Sequence, residues 1–293
     1  MKISRKKKWA LALKILLAVL SSCQQKEQSV LPHQESPQRN VPEKIAYEIQ
    51  PVKQWLQDSS HTSENQALVI AINRTDRAHF MKMDSVIVPV DLSGDKECYF
   101  PFPLEVSYLK DIRKIIFFSY ATQTFGAYEN GILVRSGPTN MGREKDQTPT
   151  GLFFTNWKAQ KTTSTFNDEW ELRWNFNIAN KEGIGWHQYS LPGYPASHSC
   201  LRLQEKDAKY LYNWADQWIL ASKTKVQVKG TPVIVFGSYD FKAPKPWLKL
   251  VQDPHALDLS EEAIKQVTEP FSGEILSEQR NRENYEAGSK YFP

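Results

Sequence analysis

Residues 197–202 read Ser197-His198-Ser199-Cys200-Leu201-Arg202, and a second histidine stands upstream in Trp186-His187-Gln188. Tyr189 to Ala196 joins them, and its Pro192, Gly193 and Pro195 mark a loop. A cysteine with two histidines nearby and an arginine two positions on admits three readings. A lone cysteine is often an inert, buried small hydrophobe. His and Cys together can ligate zinc, but this spacing lacks a clear fourth ligand and the usual Cys-x-x-Cys pair. A nucleophile with its base needs only the cysteine and one histidine held in reach. The residues alone leave all three open.

The chain around this stretch reads as strands. Ile115-Ile116-Phe117-Phe118-Ser119 has the continuous apolar character of a buried strand. Gln123 to Tyr128 and Ile132 to Arg135 flank Asn130-Gly131, a strong two-residue hairpin signal. Thr148-Pro149-Thr150-Gly151 is a turn before Leu152-Phe153-Phe154. Glu205 to Ile219 carries Ala208, Leu211, Tyr212, Ala215 and Ile219 on one helical face. Val226 to Val228 and Val233 to Phe236 read as closing strands. The pattern predicts a mostly-β domain with one or two helices packed on it.

Ser-His-Ser-Cys-Leu-Arg resembles the Ser-His-Gly-Cys-hydrophobic-Arg/Asn signature of L,D-transpeptidases with a YkuD-type catalytic domain. His187 corresponds to that family's separate histidine. Gln123, the Asn130-Gly131 hairpin, Gly137 and Thr148-Pro149-Thr150-Gly151 fall in the family's order over about residues 110–237. Three positions depart from the pattern. Ser199 and Gln188 each stand where glycine is usual, and the His187-to-Cys200 gap is short. The resemblance implies a YkuD-like β-sandwich whose long loop carries the nucleophile. It implies Cys200 as nucleophile and His187 as proton acceptor and donor. It gives His198, Ser199, Arg202 and Ser197 oxyanion or substrate-binding roles, and it requires no metal or cofactor.

The implied reaction is transfer from a peptidoglycan tetrapeptide stem. Cys200 attacks the carbonyl of the third residue, D-Ala leaves, and an acceptor amine resolves the thioester into a 3→3 cross-link or a protein attachment. Resolution by water would make the protein an L,D-carboxypeptidase. A non-catalytic peptidoglycan-binding lipoprotein is the reading from another class. A sortase-like enzyme also orders His, Cys and Arg this way, but with much longer spacings.

The chain has 293 residues, 40% of them hydrophobic, with nine Trp, enough for a sizeable core. Its formal charge is +4, but residues 1–22 hold six basic residues and no acid, and without them the charge is −2. The basic balance belongs to the leader, and nucleic-acid binding loses its support. Trp9 to Leu20 is a short apolar run after a charged start, the shape of a signal peptide. Its end, Leu20-Ser21-Ser22-Cys23, resembles a bacterial lipobox. That implies lipidation of Cys23, export, and anchoring to the cell envelope facing the periplasm or wall. Three cysteines make no disulfide framework, and Cys98 and Cys200 are expected as free thiols.

Residues 1–22 are the leader. Residues 23–48, rich in Gln, Glu, Ser and Pro, read as the lipidated cysteine and a flexible tether. Residues 49–104 read as a small α+β unit, in which Ile70-Ala71-Ile72-Asn73-Arg74-Thr75-Asp76 followed by Met83-Asp84-Ser85-Val86-Ile87-Val88-Pro89 weakly resembles a LysM module. Residues 105–240 are the catalytic domain, and 241–293 a tail of short helices and loops. The 49–92 part offers no catalytic group, so a fragment starting near residue 101 is expected to keep the chemistry.

Overall fold

The computed structural model describes residues 37–164 and 171–289. The leader, Cys23 and the first part of the tether lie outside the described residues. Among the described residues no helix is long and apolar enough to cross a membrane.

The chain opens with β1 (Tyr47–Pro51), three helices, α1 (Val52–Gln57), α2 (Ser63–Ile72) and α3 (Arg77–Phe80), and β2 (Ser85–Pro89). β1 and β2 pair antiparallel across the helices. The α2 helix starts where it does because Thr62 and Asn65 form a reciprocal capping box that satisfies free amides of the first turn. Val52, Trp55, Val69, Phe80, Val86 and Val88 close a small core. Ile72 and Ile87 belong to a second cluster that also takes in Trp247 and Leu250 from the distant tail.

The remaining strands are β3 (Ile115–Ser119), β4 (Thr124–Glu129), β5 (Ile132–Asn140), β6 (Gly151–Phe154), β7 (Lys158–Thr163), β8 (Glu171–Ala179), β9 (Ile184–Gln188) and β10 (Leu201–Leu203). Then follow α4 (Glu205–Trp214), β11 (Ile219–Ser222), β12 (Lys225–Val228), β13 (Pro232–Phe236), α5 (Glu261–Thr268) and α6 (Ser272–Ser289). Among the described residues nine strands make one sheet in the order β6-β13-β3-β4-β5-β10-β9-β8-β7. The long β5 belongs to both halves, pairing with β4 along most of its length and with β10 through Thr139 and Asn140.

The sheet curls so that its halves share one core. Ile116, Phe118 and Phe125 from one half meet Phe176, Trp186, Leu201 and Leu203 from the other. Each fully buried aliphatic or Phe side chain there contributes about 1.5–3 kcal/mol relative to exposure. The opposite face of β3 is covered as well. Ile115 and Phe117 pack with Leu109, Ile264 and Ile275, the last two from α5 and α6. Two covered faces explain why β3 is apolar at four successive positions instead of alternating.

The mostly-β reading holds, with three adjustments. The helix predicted over Glu205–Ile219 ends at Trp214, and Ile219 opens β11. Asp216 accounts for the stop: its amide donates to Thr231 Oγ1 at 2.9 Å, and its carboxylate pairs with Arg113 at 3.1 Å and Lys114 at 3.2 Å. The tail carries an 18-residue helix, α6, docked on the sheet rather than only short pieces. Strands β7 and β8 carry no apolar strand signal at the edge, because β7 is polar and rich in Lys and Thr.

Candidate active site

Parallel strands β9 and β10 set the site. Leu201 pairs with Trp186 and Arg202 with His187. Trp186, Leu201 and Leu203 are fully buried in the core between the sheet halves. Alternation along a strand therefore turns His187 and Arg202 to the other face, together with Cys200, two residues before Arg202. There Leu172, His187, Tyr189, His198, Cys200 and Arg202 line one narrow cleft.

His187 is buried, and its Nδ1 lies 3.1 Å from the Gln188 carbonyl oxygen. A carbonyl only accepts, so Nδ1 carries the proton and Nε2 keeps its lone pair. Burial is the main force that pushes the His187 pKa down to about 4, with the Arg202 charge adding to it. Burial pushes the Cys200 thiol up, partly offset by the Gly185 amide and Arg202. Both shifts favour neutral forms, so at neutral pH the pair rests as thiol and imidazole rather than thiolate and imidazolium. The Cys200 sulfur makes a long contact of 3.9 Å to the Gly183 carbonyl. Cys98 and Cys200 are both free thiols.

The Arg202 guanidinium lies over the Tyr189 ring, 4.7 Å from its centroid. No carboxylate among the described residues pairs with it. Burial lowers its pKa, the neighbouring Arg143 adds to this, and Tyr189 and Cys200 oppose it.

The nucleophile loop is held from several sides. Ser197 is fully buried, and its hydroxyl donates to the Cys200 carbonyl at 2.6 Å. Its amide donates to Met141 O, and its carbonyl accepts from the Arg143 amide. Ser197 thus shapes the loop. Thr148 Oγ1 donates to the Ser199 carbonyl at 2.9 Å and accepts from the Gly142 amide at 2.9 Å. Gly142 must be glycine, since a Cβ there would stand 2.1 Å from the Asp146 carbonyl. Gln123 reaches the same loop system, accepting from the Met141 amide at 2.9 Å and donating to Tyr120 O at 2.8 Å. The motif residues Gln123 and Thr148 are therefore braces for the loop.

Ser199 has φ +75°, in the left-handed region that favours glycine. Its hydroxyl donates to the Asp146 carbonyl at 3.1 Å. The serine keeps a backbone shape suited to glycine and adds a side-chain tie. His198 turns away from the core. Its Nδ1 lies 3.1 Å from Arg143 Nη2 and 3.4 Å from an Asp146 carboxylate oxygen. Partial burial and Arg143 lower its pKa against the pull of Asp146.

Several supporting residues escaped sequence reasoning. Asn140 Oδ1 accepts from the Ala196 amide at 3.2 Å, and its Nδ2 donates to the Tyr194 carbonyl. The Asp76 carboxylate accepts the Leu191 amide at 2.7 Å, and the Asp76 amide donates to Leu191 O at 3.0 Å. Thr75 Oγ1 donates to Leu191 O at 3.0 Å, and Gln204 Nε2 donates to Thr75 O at 2.9 Å. The N-terminal segment therefore grips the chain on both sides of the nucleophile loop. No local sequence signal marks this grip, because its halves are 115 residues apart.

Residues 113–235 match the family model of YkuD, the L,D-transpeptidase catalytic domain. No curated protein matches the chain. Among solved structures, an L,D-transpeptidase from Stackebrandtia nassauensis aligns at 22% identity and TM-score 0.35, over 43% of this chain and 56% of that one. An L,D-transpeptidase from Mycobacterium smegmatis aligns at 20% identity and TM-score 0.34, over 43% of this chain and 59% of that one. An L,D-transpeptidase solved with imipenem aligns at 19% identity and TM-score 0.34, over 42% and 59%. The aligned part thus spans less than two thirds of each of these chains. Residues 113–235, which contain the His187, Cys200 and Arg202 cleft, are thus similar to L,D-transpeptidase catalytic domains of the YkuD type.

Proposed function

We propose that the protein is an exported, lipid-anchored L,D-transpeptidase that works on peptidoglycan stem peptides through a Cys200 thioester. The observation that carries this reading is the state of His187. Its Nδ1–H is fixed on the Gln188 carbonyl, which leaves a neutral Nε2 as base in the cleft that Cys200 also lines.

The neutral resting pair makes the first step a general-base step. Cys200 Sγ attacks the carbonyl carbon of the third stem residue while its proton passes to His187 Nε2. Amides of His198, Ser199 and Cys200 are the donors suited to the developing oxyanion. One such donor is worth about 10²–10³ in rate. The tetrahedral intermediate collapses, the C–N bond breaks, and the D-Ala amine leaves with the proton from His187. An acceptor amine then attacks the thioester, gives its proton to His187, and expels the Cys200 sulfur, which regains a proton. Arg202, a cation with no carboxylate partner among the described residues, suits a stem carboxylate. Water in place of the amine gives a carboxypeptidase, and an amine on a protein gives an anchoring enzyme.

Leu20-Ser21-Ser22-Cys23 supports the lipid anchor. Two or more acyl chains hold far better than one, because each buried CH₂ contributes about 0.8 kcal/mol. Cys23→Ser is expected to release the protein from membranes or leave its leader uncut. Unchanged fractionation and mobility would remove the anchor from this reading.

The test of the chemistry is intact-mass analysis after incubation with purified tetrapeptide muropeptides. A mass gain equal to the donor minus D-Ala, absent in Cys200→Ala, is the expected result. The subsequent products, cross-linked dimer or free tripeptide, separate transpeptidation from hydrolysis. No adduct and no product would overturn the reading.

A further inference from the structure

A second concave site lies apart from the catalytic cleft. It encloses about 500 Å³, the size range of small-molecule sites. Its walls come from residues 41–47, Arg74, residues 97–104 and residues 250–261, none of them within 113–235.

Arg74 is the unusual group in these walls. It is 1% exposed, and no carboxylate among the described residues pairs with it. Its Nε donates to the Thr122 carbonyl at 3.1 Å, and Nη1 to Ile72 O. Its Nη2 has no hydrogen-bond partner among the described residues. The guanidinium packs near the Phe100 and Trp247 rings, at 5.2 and 5.4 Å from their centroids. Burial lowers its pKa to about 9, so it stays charged at neutral pH. Tyr47, on the same wall, has its pKa pushed up to about 12 by burial, so its hydroxyl stays protonated and can donate. A buried cation with an idle donor costs free energy unless something accepts from it.

The acids in the walls are already occupied. Glu97 pairs with Arg39 at 2.9 Å, Asp258 with His255 at 2.6 Å, and Glu261 accepts from the Ser107 amide at 3.0 Å. The remaining lining is largely apolar, including Phe102, Leu250 and Leu257. We propose that this cavity binds a small monocarboxylate with an apolar body, its carboxylate accepting from Arg74 Nη2 and the Tyr47 hydroxyl. Arginine suits a carboxylate because its N–H groups form a planar fork. The apolar body would cover Phe102, Leu250 and Leu257.

The test uses the full chain with hexanoate and phenylacetate as probes, and hexanol and 2-phenylethanol as uncharged matches. Calorimetry should show saturable binding of the carboxylates, with the alcohols at least about tenfold weaker for want of the charge-assisted hydrogen bonds. Arg74→Met should abolish the preference for carboxylate, but it removes a buried group and can fail to fold. Tyr47→Phe removes only the hydroxyl and should weaken carboxylate binding about fivefold. Arg202→Met should leave binding unchanged. Equal binding of acid and alcohol, no binding of either, or a loss in Arg202→Met with none in Tyr47→Phe would overturn the proposal. The last result would move the carboxylate to the catalytic cleft.

Discussion

The Asp76 carboxylate accepts the Leu191 amide at 2.7 Å, so a residue before β2 holds the loop that runs from His187 to Cys200. The same carboxylate accepts from the His79 amide at 2.9 Å, which caps the short α3. One side chain thus starts its own helix and fixes a remote loop.

This contact changes what a truncation should do. A fragment starting near residue 101 lacks Asp76, Thr75 and the cluster that packs on Trp247. It is expected to lose acylation by a tetrapeptide donor even where it stays soluble. Asp76→Ala in the full chain removes charge-assisted bonds worth about 1.5–3 kcal/mol each and should lower the acylation rate at least about tenfold. Acylation kinetics with a parallel denaturant titration checks both effects. A fragment that acylates at the parent rate would show that the grip is dispensable.

The two histidines should separate sharply. His187 is buried in the cleft with its tautomer fixed, whereas His198 is 39% exposed and engaged by Arg143. His187→Ala should reduce acylation about as far as Cys200→Ala does, and the double variant should be little worse, since base and nucleophile act as one unit. His198→Ala should keep a measurable rate. Single-turnover mass spectrometry on the four variants decides it, and a fast His187→Ala beside a dead His198→Ala would reverse the roles.

The low His187 pKa has consequences for both rate and stability. Its folded value is about 4, against 6.5 for the ordinary group. The base therefore stays neutral well below pH 6, and acylation should hold its rate down to about pH 5 before falling. Between pH 6.5 and 4 the unfolded chain binds a proton that the folded one does not. Stability from this group is full above about 6.5 and declines by roughly 3 kcal/mol on acidification to 4. Denaturant midpoints across that range should show the decline in the parent and a flatter profile in His187→Gln.

Ser199 lends itself to a three-way comparison. Its φ of +75° favours glycine, while its hydroxyl ties to Asp146. Ser199→Ala keeps the strain and loses the tie, so it should be less stable by about 1 kcal/mol. Ser199→Gly loses the tie but relieves strain of about 1 kcal/mol, so it should match or exceed the parent. Thermal melts rank the three, and an alanine variant as stable as glycine would remove the strain argument.

Short-range chemistry along the chain encodes part of this protein directly. The run Ile115–Phe118 announced a buried strand, and Asn130-Gly131 a tight turn with both residues at positive φ. Cys200, His187 and Arg202 were readable because reactive residue types at fixed spacing are a local signal. The end of α4 was not readable, because the apolar period continues to Ile219 and only Arg113, Lys114 and Thr231 pull Asp216 out of the helix. Tertiary structure also decided how the site is assembled. The parallel register that sets Arg202 beside His187, the carbonyl that fixes the imidazole tautomer, and the burial that keeps thiol and imidazole neutral all arise from the packed sheet. Asp76 and Leu191 carry no mark of each other along the chain. Their bond exists because folding brings two distant backbone segments together and leaves one amide needing an acceptor.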